Sequence, residues 1–245
     1  MSYAEGEYFQ TYESSIENMG PTLQIQNSPV FLVALSFACE ALISCAKQLN
    51  IIDEECGSGN YGSTLAQSAS VIKIEVKENR ISTTRPSVAL TQISRIIERE
   101  SDGLEGGIYS LFFDAAAKRG VFQSFEKFQN DEQLTADMWL TALTSANQAI
   151  SEVSGMSIGD RSMLDALIPA ELKLKDALDL GLNPVSAFGK AVEAAETSAM
   201  QTLHMPEHRF GFTNYKTFKY PDPGAHAVGI WMRAAYEGVK LKYGC

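Results

Sequence analysis

Apolar residues in this chain recur at steps of three and four almost from end to end, and they almost never alternate. Only Ile72-Lys73-Ile74-Glu75-Val76 shows a period of two, too briefly to build a sheet. A chain patterned this way must bury one stripe of each helix against other helices, so the pattern predicts an all-α domain. The first helix signal opens at Ser28, a capping residue, with Pro29 at the first helical position. Phe31, Ala34, Ala38, Leu42, Cys45 and Leu49 follow on one face. A second helix is predicted from near Ser63 and a third from Pro86 to near Gly103. Further helices are predicted over Ile108 to Lys118 and over 132–153, 160–179, 183–204 and 221–242. About eight helices result, joined by short loops and two glycine-rich ones. Residues 1–28 read as a polar and aromatic N-terminal extension, and 29–245 as one domain.

Charge narrows the partners. Lysine and arginine number 20 against 30 aspartates and glutamates, a net charge of −10. Such a surface repels nucleic acid and anionic lipid, so neither is expected as a partner. A small anion stays open, because backbone amides at a helix N-terminus can outweigh the global charge locally. Cys39, Cys45, Cys56 and Cys245 make no disulfide framework at this length and read as buried thiols. The acidic N-terminus lacks the basic and apolar regions of a signal peptide. Pro29 to Ala46, interrupted by Glu40, reads as too short and mixed to cross a bilayer. A cytoplasmic protein without membrane association is expected.

Four glycine-bearing segments sit where helices are predicted to begin. Gly57-Ser58-Gly59-Asn60-Tyr61-Gly62 fits GxGxxG, but a dinucleotide fingerprint needs a preceding strand, and Leu49 to Glu55 reads as a helix end. The same residues suit a helix–helix turn with positive φ, or a loop whose backbone approaches phosphate. Gly159-Asp160-Arg161-Ser162-Met163-Leu164-Asp165-Ala166-Leu167 and Asp222-Pro223-Gly224-Ala225 are capped helix starts when taken alone. Asp102-Gly103-Leu104-Glu105-Gly106-Gly107 is a fourth glycine-rich start. Together, four such N-termini could converge on an anion. His204 and His208 have the spacing of a zinc pair, but Pro206 lies between them and no third ligand is evident. The aromatic run 210–220 suits an extended loop over one end of the fold better than a nucleic-acid surface.

In order along the chain, LNxxDxxxGxGxxGxT (Leu49 to Thr64), GDRSMLDAL (Gly159 to Leu167) and DPGA (Asp222 to Ala225) resemble the ATP-binding L domain of dihydroxyacetone (glycerone) kinases. Gly106 to Phe112 with Ala115-Ala116-Ala117 resembles the segment after that family's phosphate loop. Arg209 matches the arginine that precedes DPGA. The resemblance spans about residues 29–243 and implies an antiparallel eight-helix barrel with the nucleotide at one end. It implies transfer of the ATP γ-phosphate to dihydroxyacetone, which a histidine of a separate K-type domain holds. Some members also cyclise FAD on the same metal aspartates. Carried over residue by residue, it implies catalytic roles for Asp53 and Arg209. For the nucleotide it implies Tyr61, Gly62, Ser63, Thr64, Leu104, Glu105, Met163, Arg209, Asp222, Pro223 and Gly224.

The sequence departs from the family at the metal end. The family's LDxxxGDGD supplies three aspartates to two magnesium ions; here Asp53 is kept, while Ser58 and Asn60 stand at the other two positions. Hard cations facing a polyphosphate need carboxylate oxygens, so Mg²⁺ is expected to bind weakly or not at all. Glu54 and Glu55, adjacent at a helix end, point in different directions and are not expected to replace the lost acids. The family's GGSSG becomes Asp102 to Gly106, which puts Glu105 where phosphate is received. Phe210-Gly211-Phe212 after Arg209 is a milder departure. Ser162 and Met163, by contrast, match the Thr-Met beside the base. The expectation is an ATP-binding kinase-like domain with weakened or lost turnover; the alternative is a non-catalytic regulatory or protein-interaction relative. A K-type substrate domain or a second copy of the chain would be its partner. Asp53, Ser58, Asn60, Met163, Arg209 and Asp222 should then converge at one end of the barrel.

Overall fold

The computed structural model describes residues 28–118, 134–209 and 212–244. The N-terminal extension, Phe210-Gly211 and Cys245 lie outside these, as do the side chains of Ser28, His208, Arg209, Phe212 and Asn214. Eight α-helices account for most of the described residues. They are α1 (Ser28–Asp53), α2 (Tyr61–Lys77), α3 (Pro86–Glu100), α4 (Gly103–Ala117), α5 (Ala136–Ser154), α6 (Leu164–Asp179), α7 (Pro184–Gln201) and α8 (Pro223–Tyr243). A one-turn 3₁₀ helix, Thr202–His204, leads to a short antiparallel hairpin of β1 (Glu207–Arg209) and β2 (Phe212–Asn214).

Local chemistry sets the helix ends. Thr135, Asn183 and Asp222 each accept a hydrogen bond from the amide three residues on, and Pro86, Pro184 and Pro223 occupy first-turn positions. Gly155 closes α5 in the left-handed conformation, φ 71°. Each helix packs on its neighbours in sequence, and α8 packs back on α1, so the eight form a closed antiparallel ring. Close approach is built in by small residues. Ala187, Ala191, Ala195 and Ala199 form a fully buried stripe at four-residue steps along α7. Gly62 lies so near α1 that a Cβ there would meet the Ala46 carbonyl oxygen at 2.1 Å. Leu49, Ile93, Ile150, Leu164, Leu167 and Val228 fill the interior, each worth about 1.5–3 kcal/mol of burial.

The fold agrees with the all-α expectation and the helix count. Four details differ. The helix expected from Ile108 begins at Gly103, because Gly106 seats against the Ser101 backbone and lets the glycine run coil onto α3. The aromatic run after His208 includes a three-residue hairpin that period-two counting is too coarse to find. Cys39 is buried, its thiol pushed up to about 12 by desolvation, but Cys45 and Cys56 are only half-buried. Finally, α1 continues past Ala46 through Leu49, Ile51 and Ile52. Pro29–Asp53 is therefore long and apolar enough, by length and composition, to cross a bilayer, contrary to the expectation. In the ring this helix is a wall, packed on α2 and α8.

Candidate functional site

The up-down order puts the α1–α2, α3–α4, α5–α6 and α7–α8 connections at one end of the ring. There the α1–α2 loop folds around Asp53, the last residue of α1 and buried. Asp53 Oδ2 accepts hydrogen bonds from the amides of Gly59 (2.9 Å), Asn60 (3.1 Å) and Tyr61 (3.2 Å). A carboxylate at the start of α2 both satisfies free amides and complements the helix dipole. The loop leaves no room at its tightest point: a Cβ on Gly57 would lie 2.0 Å from Asp53 Oδ1. Ser58 and Asn60, both exposed, are hydrogen-bonded to each other through their side chains.

The first turn of α2 is tied down on both sides. Asn50 accepts from the Ser63 amide at 3.0 Å and donates to the Ser63 hydroxyl at 2.7 Å. Thr64 Oγ1 donates to the Asn60 carbonyl, and the Thr64 carbonyl accepts from Ser101 Oγ at the α3–α4 junction. Tyr61 turns inward toward α8. A Cβ on Gly224 would sit 3.0 Å from Tyr61 Oη, 3.0 Å from Asp222 Oδ1 and 3.4 Å from Met163 Cβ. The starts of α2, α6 and α8 therefore meet at one point. Asp222, 2% exposed, caps α8 by accepting from the Ala225 amide at 2.7 Å, and its own amide donates to Thr202 Oγ1 at 2.8 Å. Pro223 is buried beside it.

Glu105 completes the circle from the first turn of α4, half-buried, with Leu104 exposed next to it. Burial drives the Tyr61 phenol well above its ordinary value, and the neighbouring Tyr109, Asp222 and Glu105 push the same way. Burial likewise holds Tyr109 at about 12. Both phenols stay protonated donors at neutral pH. The Arg209 backbone lies in β1, paired with Phe212.

Two residues that sequence reasoning did not assign bind these loops together. Arg161, 1% exposed and with φ 62°, stacks its guanidinium 3.6 Å above the Phe218 ring. Its Nη2 donates to the Tyr220 carbonyl at 2.8 Å and its Nη1 reaches Cys56 Sγ at 3.6 Å. Glu55, weighed only as a substitute metal ligand, is committed elsewhere. Its carboxylate accepts from the amides of Lys219 (2.9 Å) and Tyr220 (3.0 Å), while Lys216 Nζ lies 3.8 Å away. Burial alone would raise the Glu55 carboxyl, but these amides and the Lys216 ammonium hold it below its usual value. No sequence spacing announces contacts across 59, 105 and 164 residues. The GDR triplet was the only visible trace.

As a cation site, the donor set is poor. Asp53 spends one oxygen on three amides, and Ser58 and Asn60 are neutral and mutually bonded. Among the described residues no three His, Cys, Asp or Glu side chains are grouped to hold a metal ion, and His204 is not part of such a group. Three helix N-termini meet here with a fourth, that of α4, close to Tyr61; the first amides of α2 and α8 are taken up by Asp53, Asn50 and Asp222, whereas α4 has no side-chain cap.

The chain belongs to the DAK2 domain family, whose model matches residues 55–237. A Solanum lycopersicum protein named for 3,4-dihydroxy-2-butanone kinase is 35% identical over 214 residues, covering 86% of this chain and 35% of that protein. The triokinase/FMN cyclase of Homo sapiens is 28% identical over 207 residues, covering 84% of this chain and 34% of that one. The crystal structure of the C. freundii dihydroxyacetone kinase superposes with a TM-score of 0.66 at 23% identity, over 89% of this chain and 35% of that chain. The same kinase is known in complex with AMP-PNP and Mg²⁺. At that identity the likeness establishes the fold, which is that of the dihydroxyacetone kinase L domain. The chain spans about a third of the length of the curated relatives it matches.

Proposed function

We propose that residues 29–245 form a nucleotide-binding unit of the dihydroxyacetone kinase type that holds ATP at the loop end of the ring but transfers its γ-phosphate poorly. The observation that carries this reading is the contrast within one site. The nucleoside side is built: Met163, Asp222, Pro223 and Gly224 are buried and converge with Tyr61. The polyphosphate would meet the starts of α2 and α4 near Gly62, Ser63, Thr64 and Leu104, with the uncapped first turn of α4 supplying backbone amides. The metal side offers Asp53 alone, already engaged with backbone amides, and Glu105 brings a carboxylate toward the phosphates. Magnesium, when bound in a kinase site, neutralises phosphate charge; the residues present do not fit a pair of such ions. By the family resemblance, Arg209, whose backbone lies in β1, is the cation assigned to the phosphates.

The reading includes a partner, because the family resemblance puts the histidine that holds dihydroxyacetone on a separate domain: a K-type substrate domain, or a second copy of this chain. The net charge of −10 supports a small ligand rather than nucleic acid. We read the protein as cytoplasmic, with α1 a helix of the ring packed on α2 and α8, although most of its apolar window is not buried.

The test is phosphorylation of dihydroxyacetone by the full chain with a competent K-type partner. Turnover should fall far below the roughly 1–100 s⁻¹ of kinases. Ser58→Asp, Asn60→Asp and Glu105→Ser together should strengthen Mg²⁺-dependent nucleotide binding at least about tenfold. Ordinary turnover by the unmodified chain would mean that other acids serve the metals, and would overturn the weakened-site reading.

A further inference from the structure

The loop Asp53–Tyr61 carries the retained aspartate and opens α2, and two of its own side chains, Ser58 and Asn60, bond to each other. What fixes the loop against the rest of the site lies on its other flank. Glu55 grips the backbone of Lys219 and Tyr220, two residues ahead of the Asp222 cap. Lys216 Nζ returns the contact by donating to the Glu55 carbonyl at 3.1 Å. Arg161, one residue before Ser162, reaches from the start of α6 to both neighbours: Cys56 in the loop and the Tyr220 carbonyl in the strap. Phe218, buried, is the platform under its guanidinium. Three of the four loops that meet at the candidate nucleotide site are thus joined by one acid and one arginine.

We infer that Glu55 and Arg161 are positioning residues: a side-chain clamp that holds the Asp53 loop, the start of α6 and the start of α8 in nucleotide-receiving register. This rests on the nucleotide-binding reading above. The physical reason is preorganisation. A divalent ion bound by several loops draws them together by its own charge, whereas a loop with one free carboxylate oxygen cannot rely on that. Here both oxygens of Glu55 accept charge-assisted bonds, and the guanidinium is stacked, hydrogen-bonded and sequestered from water, so the join is stiff before any ligand arrives. Neither side chain need touch the nucleotide. Each acts by fixing the amides of Gly59, Asn60 and Tyr61, which Asp53 gathers, relative to Met163 and Asp222.

The experiment uses the full chain and ATP as the probe. Glu55→Gln keeps the size but loses the charge and one acceptor oxygen; Arg161→Lys keeps a buried cation, so folding is spared, but loses the stacked fork. ATP affinity is measured by calorimetry well below the melting temperature of each variant, and amide hydrogen exchange is followed residue by residue. The clamp predicts at least about tenfold weaker ATP binding in both variants. It also predicts faster exchange confined to Gly59, Asn60 and Tyr61 and to the strap amides of Lys219 and Tyr220. Unchanged exchange at the loop, or acceleration spread evenly through α6 and α8, would overturn it, the second result being what a merely structural pair would give. The exchange arm needs no nucleotide. A wild-type chain that binds no ATP overturns the nucleotide reading, and loop exchange then decides the clamp by itself.

Discussion

Asp53 and Gly57 are a matched pair. The carboxylate can gather three amides only because the residue four positions on has no side chain to displace it. Gly57→Ala would drive a methyl into Asp53 Oδ1 and force the carboxylate away, so it should destabilise the fold by about 2–3 kcal/mol, the scale of a broken charged hydrogen-bond set. Ser58→Ala, exposed and one residue along, should cost under about 0.5 kcal/mol. Denaturant melts of the two variants check the difference, and equal losses would show that Asp53 is not organising the loop. At this scale the sequence was partly legible. Asp53, Met163 and Asp222 could be picked out by resemblance to the family's motifs, and the structure brings Met163 and Asp222 together near Tyr61. Arg161 and Glu55 could not, because their partners lie 59 and 164 residues away.

Helices were the most legible level, because burying one face leaves a periodic record. Where the record is thin, boundaries moved. Glycines at 103, 106 and 107 carry no apolar period, so α4 reads as starting at Ile108, whereas packing of Gly106 on Ser101 brings its first turn back to Gly103. Glu105 is thereby a first-turn helical residue, a position that favours a carboxylate electrostatically even as it opposes phosphate. Caps far from the site offer a clean control. Thr135 accepts from the Met138 amide at the start of α5, at the opposite end of the ring from Asp53. Thr135→Ala should lower stability by about 0.5–2 kcal/mol and leave nucleotide affinity untouched. Thermal melts and calorimetry on one sample read both numbers, and a loss of affinity would mean that the two ends of the ring are coupled.

Closure of the ring is what turns scattered motifs into a site. Because the helices alternate in direction and α8 returns to α1, residues 53–64, 102–105, 161–163 and 220–224 all arrive at one end without any of them being near another in sequence. The family resemblance implies a site at that end; apolar periodicity alone reached only the helix count. The weakened-site proposal is one about charge: one carboxylate where a magnesium pair needs several, and Glu105 where phosphate would rest. On the proposed reading, ATP is held at the helix N-termini and the cap region of α8, with the clamp keeping the loops in register, rather than through a cation. The most direct measurement is calorimetry of ATP against the full chain, once with the divalent ion chelated and once with Mg²⁺ saturating. The account predicts binding in both, with affinities within about threefold of each other. Tightening by about a hundredfold or more on adding Mg²⁺ would contradict it, because that gain requires a metal centre that Asp53, Ser58 and Asn60 are not equipped to form.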